Sequence, residues 1–294
     1  MPGATLRLPD AQVAPLRRAH DAAVAARRRA ASLGAAMLAA AILVAAPVAE
    51  IDPARLFANI HRLPDYLTRI FQLDNGAPVW TDPAEWMWGL DIWLPLMGET
   101  ILIAYLGTIL GTIGGFLLCF LASANLVTSR LVTGAARRVL EFCRSVPELV
   151  FALVFVQAFG LGPLPGVLAI AIHTTGALGK LFAESVENID LGPVEGARAS
   201  GGRWSESIRF AVLPQILSNF ASYALLRFEI NVRGAAVMGF VGAGGIGQDL
   251  IEAIRKFYYA DVSAILVLII GAVMAIDLVT ERIRHALLGW ERGA

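Results

Sequence analysis

Residues 92–122 read IWLPLMGETILIAYLGTILGTIGGFLLCFLA. The hydrocarbon core of a bilayer is about 30 Å thick and takes about 20 helical residues, so this run is long enough to cross a membrane with residues to spare. Five further segments join it: residues 33–49, preceded by Arg27, Arg28 and Arg29, then 147–160, 167–182, 214–240 and 262–279. Pro147 and Pro214 stand where a helix tolerates proline, in its first turn. The segments 147–160 and 167–182 are short, and with the turn GLGPLPG (160–166) between them they read as a helical hairpin. The expected fold class is all-α, a polytopic membrane bundle of about six transmembrane helices.

Composition agrees with that reading. The 294 residues are 57% hydrophobic and 16% charged, with mean hydropathy +0.65; a soluble domain is about 45–50% apolar and about 25% charged. A net charge of zero and a pI near 6.9 give no basis for nucleic acid as a partner, and lipid is the expected surroundings. Cys119 and Cys143 form no CxxC pair, so they read as small packing residues rather than a zinc site or a disulfide.

Arginine placement sets the expected orientation. Residues 1–32 carry six arginines (Arg7, Arg17, Arg18, Arg27, Arg28, Arg29) against Asp10 and Asp21. Residues 50–91 hold seven acids, among them Glu50 and Asp91, and three arginines, a net of −4. The loop 123–146 has Arg130, Arg137, Arg138 and Arg144 against Glu141, a net of +3, and Arg282, Arg284 and Arg292 lie near the C-terminus. The chain then divides into a cytoplasmic tail (1–32), a first span (33–49), a periplasmic segment (50–91), a membrane core (92–288) containing a cytoplasmic loop at 184–214, and a cytoplasmic tail (289–294). The start also has the elements of a secretory signal peptide. Its basic region would be 32 residues, far longer than usual, and four or five spans would follow regardless.

Three segments carry chemistry. The first is ESVENIDLGPVEGARASGGRWSESIRFAVLP, residues 184–214, too polar to enter lipid. Asp190 is placed to cap a helix with Pro193 in its first turn and Glu195 near the positive end of the dipole. Gly201 and Gly202 end it. A second helix carrying Trp204, Ile208 and Val212 then meets Pro214. The second segment is RFEINVR, residues 227–233; ionisable groups inside a span are costly and face a bundle interior or a watery path. From Pro214, Arg227 would lie about 20 Å and Arg233 about 28 Å along the helix. Glu229 and Arg233 are spaced i, i+4 for an ion pair, while Arg227 and Asn231 share another face. His173, Thr174 and Thr175 add polar groups at membrane depth and read as an interhelical hydrogen-bond cluster. The third is GFVGAGGIG, residues 239–247. Gly242, Gly244 and Gly247 fit GxGxxG, with Asp261 nineteen residues past Gly242. A dinucleotide site needs a strand before that motif and a crossover helix and strand after it, and here a charged helix precedes it. A closely packed turn is the better account.

The loop 184–214 resembles the EAA motif of ABC importer permeases, whose pattern is E-A-A, three residues, G, nine residues, I, one residue, L-P. Glu195, Ala197, Gly201, Leu213 and Pro214 match; Gly196 stands in place of the first alanine and Ala211 in place of the isoleucine. The run 222–250, SYALLRFEINVRGAAVMGFVGAGGIGQDL, and Arg144–Leu149, RSVPEL, resemble the phosphonate-importer permeases of the methionine-importer-like superfamily. The likeness covers roughly residues 90–290.

That resemblance implies an ABC type I importer permease in the bacterial inner membrane, both termini cytoplasmic. The coupling helix carrying Glu195, Gly196, Ala197 and Gly201, with Leu213 and Pro214 behind it, would dock on a cytoplasmic ATPase subunit. A single such loop implies two permease chains, taken as identical, with two ATPase subunits and a periplasmic phosphonate-binding protein. The chain has no GxxxxGK[ST] phosphate loop, so no cofactor is expected in it; ATP and Mg would be held by the partner. Arg227, Asn231 and Arg233 are the candidates for the translocation path of a phosphonate, with phosphite and phosphate as alternative cargoes. Two other classes stay open on the residues alone. A secondary transporter would show internal repeats and interrupted helices. A membrane enzyme would gather reactive side chains at one depth, whereas His20, His61, His173 and His285 are scattered.

Overall fold

The structure, a computed structural model, describes residues 10–49 and 52–291; Arg7, Glu50 and Arg292 of the charge pattern lie outside them. Among the described residues the chain is helical, with one isolated bridge between Gln72 and Pro78. It forms two compact units, residues 1–66 and 67–294.

In the first unit α1 runs unbroken over Asp10–Val48, about 58 Å at 1.5 Å per residue. The expected tail and first span are thus one helix, with no break near residue 32. Asp52 then caps α2 (Pro53–Asn59) by accepting from the Ala54 and Arg55 amides. The helix α3 (Arg62–Ile70) follows.

Within the second unit the Asp82-capped α4 (Pro83–Trp86) precedes α5 (Leu90–Ala122). The basic loop 123–146 is not a loop for most of its length. It holds α6 (Arg130–Ser145), which buries Thr133, Ala136 and Leu140, a three-and-four spacing on one helical face. The hairpin is present as α7 (Glu148–Phe159) and α8 (Pro163–Glu187), turned through Gly160 and Gly162, both at positive φ. Its arms are unequal. α8 starts at Pro163 rather than 167, since prolines are accepted in a first turn, and extends past 182 to Glu187. Among the described residues four helical segments are long and apolar enough to cross a membrane: Arg17–Ala46, Leu90–Ala122, Pro163–Glu187 and Tyr259–Ala286. α7, at 12 residues, is apolar but short.

The segment 184–214 folds as α9 (Gly192–Ala199), a turn, and α10 (Trp204–Ser207). A π-helical stretch, Ile208–Val212, joins α10 without interruption to α11 (Leu213–Met238). The Leu213 N–H donates to the Ile208 carbonyl, five residues back, and Pro214, which has no amide hydrogen, follows at once. The glycine-rich run then leads to α12 (Gly247–Lys256) and the long α13 (Tyr259–Glu291).

The most extensive packing among the described helices is that of α5 against α8. Gly107, Gly111 and Gly115 recur every fourth residue along α5, so they form one stripe. A Cβ at Gly107 would stand 2.6 Å from Ile170 Cγ2, and one at Gly111 2.5 Å from Thr174 Cβ and 2.8 Å from the Ala171 carbonyl oxygen. One at Gly115 would stand 2.8 Å from the Gly179 amide nitrogen. Small residues at such spacing let helix backbones approach where lipid supplies no hydrophobic drive. Gly179 meets the same seam from α8, and Gly176 admits α6, with a built Cβ only 2.6 Å from the Leu140 carbonyl oxygen. Gly111→Val is therefore expected to destabilise the folded chain by about 1–3 kcal/mol or more, the range for overpacking. Gly134→Ala, on α6 with open space around it, should be neutral or stabilising by up to about 1 kcal/mol. Thermal unfolding of the purified variants in detergent reads both.

Candidate functional site

Three places deserve a chemical description: the loop built on α9, the polar residues of α11, and the glycine-rich turn.

On α9 the capping differs in detail from expectation. The cap position is Leu191, with no side-chain bond, but Asp190 Oδ1 accepts the Gly192 amide at 2.9 Å and so closes the entry turn. Gln215 ties that turn to α11: its Oε1 accepts from the Asp190 N–H at 3.0 Å and its Nε2 donates to the Asp190 carbonyl at 3.2 Å. Val194 is buried in a hydrophobic cluster with Ala211, Val212 and Ile216. The other face is open. Glu195 and Gly196 are exposed, Ala197 is half-buried, and nothing lies within 4 Å of where a Cβ on Gly196 would stand. Gly201 leaves the helix at φ +87°, a left-handed conformation that favours glycine. Trp204 donates its indole N–H to the Leu126 carbonyl at 3.2 Å, bracing the loop on the α5–α6 connection. Leu213 is half-buried and Pro214 exposed at the start of α11.

On α11 the structure separates what the spacing paired. Glu229 and Arg233 do not bridge each other. The buried Glu229 carboxylate accepts a hydrogen bond from Thr280 Oγ1 and lies 4.0 Å from Arg284, both on α13. Arg233, half exposed, pairs with Asp277 of α13 at 3.3 Å. The helical i, i+4 geometry was available, but α13 packs alongside and offers each residue a partner, with Thr280 donating directly to the buried carboxylate.

Arg227 and Asn231 do share a face, and it meets the two helices of the glycine seam. Asn231, fully buried, donates through Nδ2 to Thr108 Oγ1 of α5 at 2.8 Å and to Thr174 Oγ1 of α8 at 2.9 Å. Thr108 itself donates to the Ala104 carbonyl at 2.6 Å. Its oxygen is therefore the acceptor for Asn231, which fixes the amide orientation. Asn231 Oδ1 is buried without a hydrogen-bond partner. Arg227 reaches Thr174 through Nε at 3.4 Å and His173 Nδ1 through Nη2 at 2.5 Å. Arginine has no acceptor, so His173 Nδ1 accepts and the ring is the Nε2-protonated neutral tautomer. Glu148, in the first turn of α7, places Oε2 3.9 Å from Arg227 Nη2 and 3.7 Å from His173 Nδ1. Glu148 and Thr108 did not emerge from the sequence as site residues. Thr175 points elsewhere, to the Ala171 carbonyl at 2.8 Å and the Gly111 carbonyl at 3.3 Å.

The glycine-rich run is a packed turn, not a nucleotide fingerprint. Gly242, Gly244 and Gly245 all have positive φ. The Gly245 and Ile246 amides donate to Glu99 Oε1 (3.0 Å) and Thr100 Oγ1 (2.9 Å) at the head of α5, and the Gly242 carbonyl accepts from Gly162. Those amides are thereby spent on α5 and the hairpin turn. Among the described residues no group of three or more His, Cys, Asp and Glu is placed to hold a metal ion.

An exposed short helix bound through Val194 and Gln215 to a membrane bundle with a polar interior is the plan of an importer's membrane subunit. Residues 107–289 match the model of the family described as binding-protein-dependent transport system inner membrane component. The chain belongs to this family. The permease is 42% identical over 189 residues to the phosphite transport system permease protein PtxC of Stutzerimonas stutzeri, covering 64% of this chain and 69% of that one. It is 34% identical over 251 residues to the putative phosphite transport system permease protein HtxC of the same organism, covering 85% of each. Over 118 residues it is 52% identical to the putative cryptic phosphonate transport system permease protein PhnE2 of Escherichia coli (strain K12), 97% of that chain and 40% of this one. The fold is that of the inward-facing MetNI methionine ABC transporter, with a TM-score of 0.58 at 23% identity over 70% of this chain and 98% of that one. The protein is thus a multi-pass ABC importer permease, a transport component rather than an enzyme.

The two charged contacts between α11 and α13 should differ in weight. Thr280→Val removes a donor from the buried Glu229 carboxylate and is expected to cost about 1.5–3 kcal/mol, the range for hydrogen bonds to charged groups. The half-exposed Arg233–Asp277 pair should show a coupling below about 1 kcal/mol in a double-mutant cycle. Thermal unfolding of the permease variants tests both.

Proposed function

We propose that this permease carries phosphonates, or the closely related oxyanions phosphite and phosphate, from a periplasmic binding protein to the cytoplasm, driven by ATP hydrolysis on a partner. The observation that carries the reading is its kinship to permeases named for phosphite and phosphonate transport, over most of its length in the case of HtxC. The chemistry of α11 supports it: a compact oxyanion needs a cation at membrane depth, and the half-buried Arg227 supplies one. Arg227, Asn231 and Arg233 are the proposed path residues. Arg233 stands on the α13 side, and its half-exposed side chain remains accessible beside Asp277.

The α9 loop is the proposed coupling element. Glu195 and Gly196 would face the ATPase, Ala197 would allow close approach, Gly201 would shape the exit turn, and Leu213 and Pro214 would pass the motion to α11. Two ATPase subunits with bound ATP and Mg, a second identical permease chain and a binding protein complete the proposed complex. The permease would sit in the inner membrane with both termini and the loop 184–214 cytoplasmic, and with residues 50–91 periplasmic, as the arginine distribution favours.

The permease reconstituted in lipid with its ATPase subunit and binding protein should hydrolyse ATP faster with 2-aminoethylphosphonate than without ligand. Selective stimulation by phosphate or phosphite would replace the cargo and keep the transport assignment. Arg227→Ala should slow uptake by roughly tenfold or more while the complex still assembles; unchanged uptake rejects a path role. Gly196→Trp has room within the chain, so its melting temperature should match the parent. The ATPase should nevertheless fail to copurify, and normal capture would remove this face from the coupling interface.

A further inference from the structure

Arg227 is held by two residues of α8 yet not used up. Nε is committed to Thr174 and one Nη2 hydrogen to His173. Among the described residues Nη1 has no hydrogen-bond partner, and it is not among the sealed polar atoms. Its counter-charge, Glu148, is equally unusual. The carboxylate stands 3.9 Å from Nη2, beyond hydrogen-bond distance, and accepts no hydrogen bond from any described residue. His173 cannot supply one through Nδ1, because that nitrogen already accepts from Arg227. Gly234 on α11 makes the space, since a Cβ there would collide with Glu148 Oε1. An arginine and a carboxylate that were a purely structural pair would ordinarily close into a bidentate fork; here the fork is open, and the carboxylate remains about a quarter exposed.

We infer that the open guanidinium edge of Arg227 is a transient subsite for a tetrahedral oxyanion, and that Glu148 is its resident counter-ion, displaced when the oxyanion arrives and returning when it leaves. The inference rests on the oxyanion-transport reading. Glu148 repels an incoming oxyanion and so keeps the site weak. A conduction site must bind well enough to admit its ligand and weakly enough to release it, and a lone half-buried arginine would hold a dianion too long. Neutral His173 and Thr174 fix the guanidinium plane without adding charge, so Glu148 alone sets the balance. Its role is to position and tune Arg227 rather than to contact the cargo.

The test is anion rescue in the detergent-solubilised permease–ATPase complex, without binding protein. Glu148→Gln keeps the side-chain shape and leaves Arg227 without its counter-ion, so the melting temperature should fall. Millimolar 2-aminoethylphosphonate or inorganic phosphate should restore it, at concentrations at least tenfold below those that affect the parent. Arg227→Gln combined with Glu148→Gln removes both charges and should melt near the parent, with no response to either anion. In the reconstituted system Glu148→Gln should lower maximal uptake while lowering the concentration giving half-maximal rate. Equal anion response in parent and Glu148→Gln, rescue that persists without Arg227, or equal rescue by chloride would each overturn the subsite. If the binding protein proves to deliver some other cargo, that failure appears in the stimulation of ATP hydrolysis, which this measurement does not use.

Discussion

The permease depends on one close contact, the seam where Gly107, Gly111 and Gly115 of α5 lie against α8. In lipid, helices are not driven together by water, and what holds them is dispersion at short range and hydrogen bonds that close only when backbones approach. The seam brings Thr108 and Thr174 near enough for one asparagine amide from α11 to donate to both. It also fixes His173 and Thr174 as a rigid support for Arg227. Fill one of those glycines and the helices part. The amide of Asn231 then loses an acceptor at a depth where no water replaces it. Packing and polar chemistry are two consequences of the same backbone approach.

The second constraint is that the polar contacts fixing α11 and the glycine-rich turn run between helices. Glu229 accepts from Thr280 of α13, the Asn231 Nδ2 group donates to α5 and α8, and the Gly245 and Ile246 amides donate to Glu99 and Thr100 of α5. This arrangement divides α11 lengthwise. One side is welded to α13 through Glu229 and Arg233, and the other carries Arg227 and Asn231 against α5, α7 and α8. A helix with two charged faces in a membrane is stable only when both are covered or wetted.

Much of this was legible in the residues, and the exceptions have physical reasons. The span at 92–122 and the exposed α9 loop followed from apolar length and from capping and glycine signals. The shared face of Arg227 and Asn231 followed from helical phase alone. The i, i+4 pairing of Glu229 with Arg233 failed because phase says which residues can meet on one helix and nothing about what a second helix offers. Glu148 was hidden by its position after Pro147, where an acid reads as a favourable first-turn residue and no more. Thr108 was hidden by its neighbours, since a threonine in an apolar run satisfies its own helix and gives no sign of a partner over a hundred residues away. The four-residue glycine repeat beside it was the available clue, and α6 was equally present in the spacing of Thr133, Ala136 and Leu140.

The π-helical stretch before Pro214 bears on how the chain tolerates change. A π turn holds one residue more than an α turn, so the loop containing α9 is set in azimuth by the count of residues between Ser207 and Leu213. Removing a residue while the wide turn persists would swing everything upstream by about 100° about the axis of α11. Side chains in that stretch are free to vary within the limits of burial, but its length is not. In a transmission, gear teeth can be recut, yet their number sets the ratio.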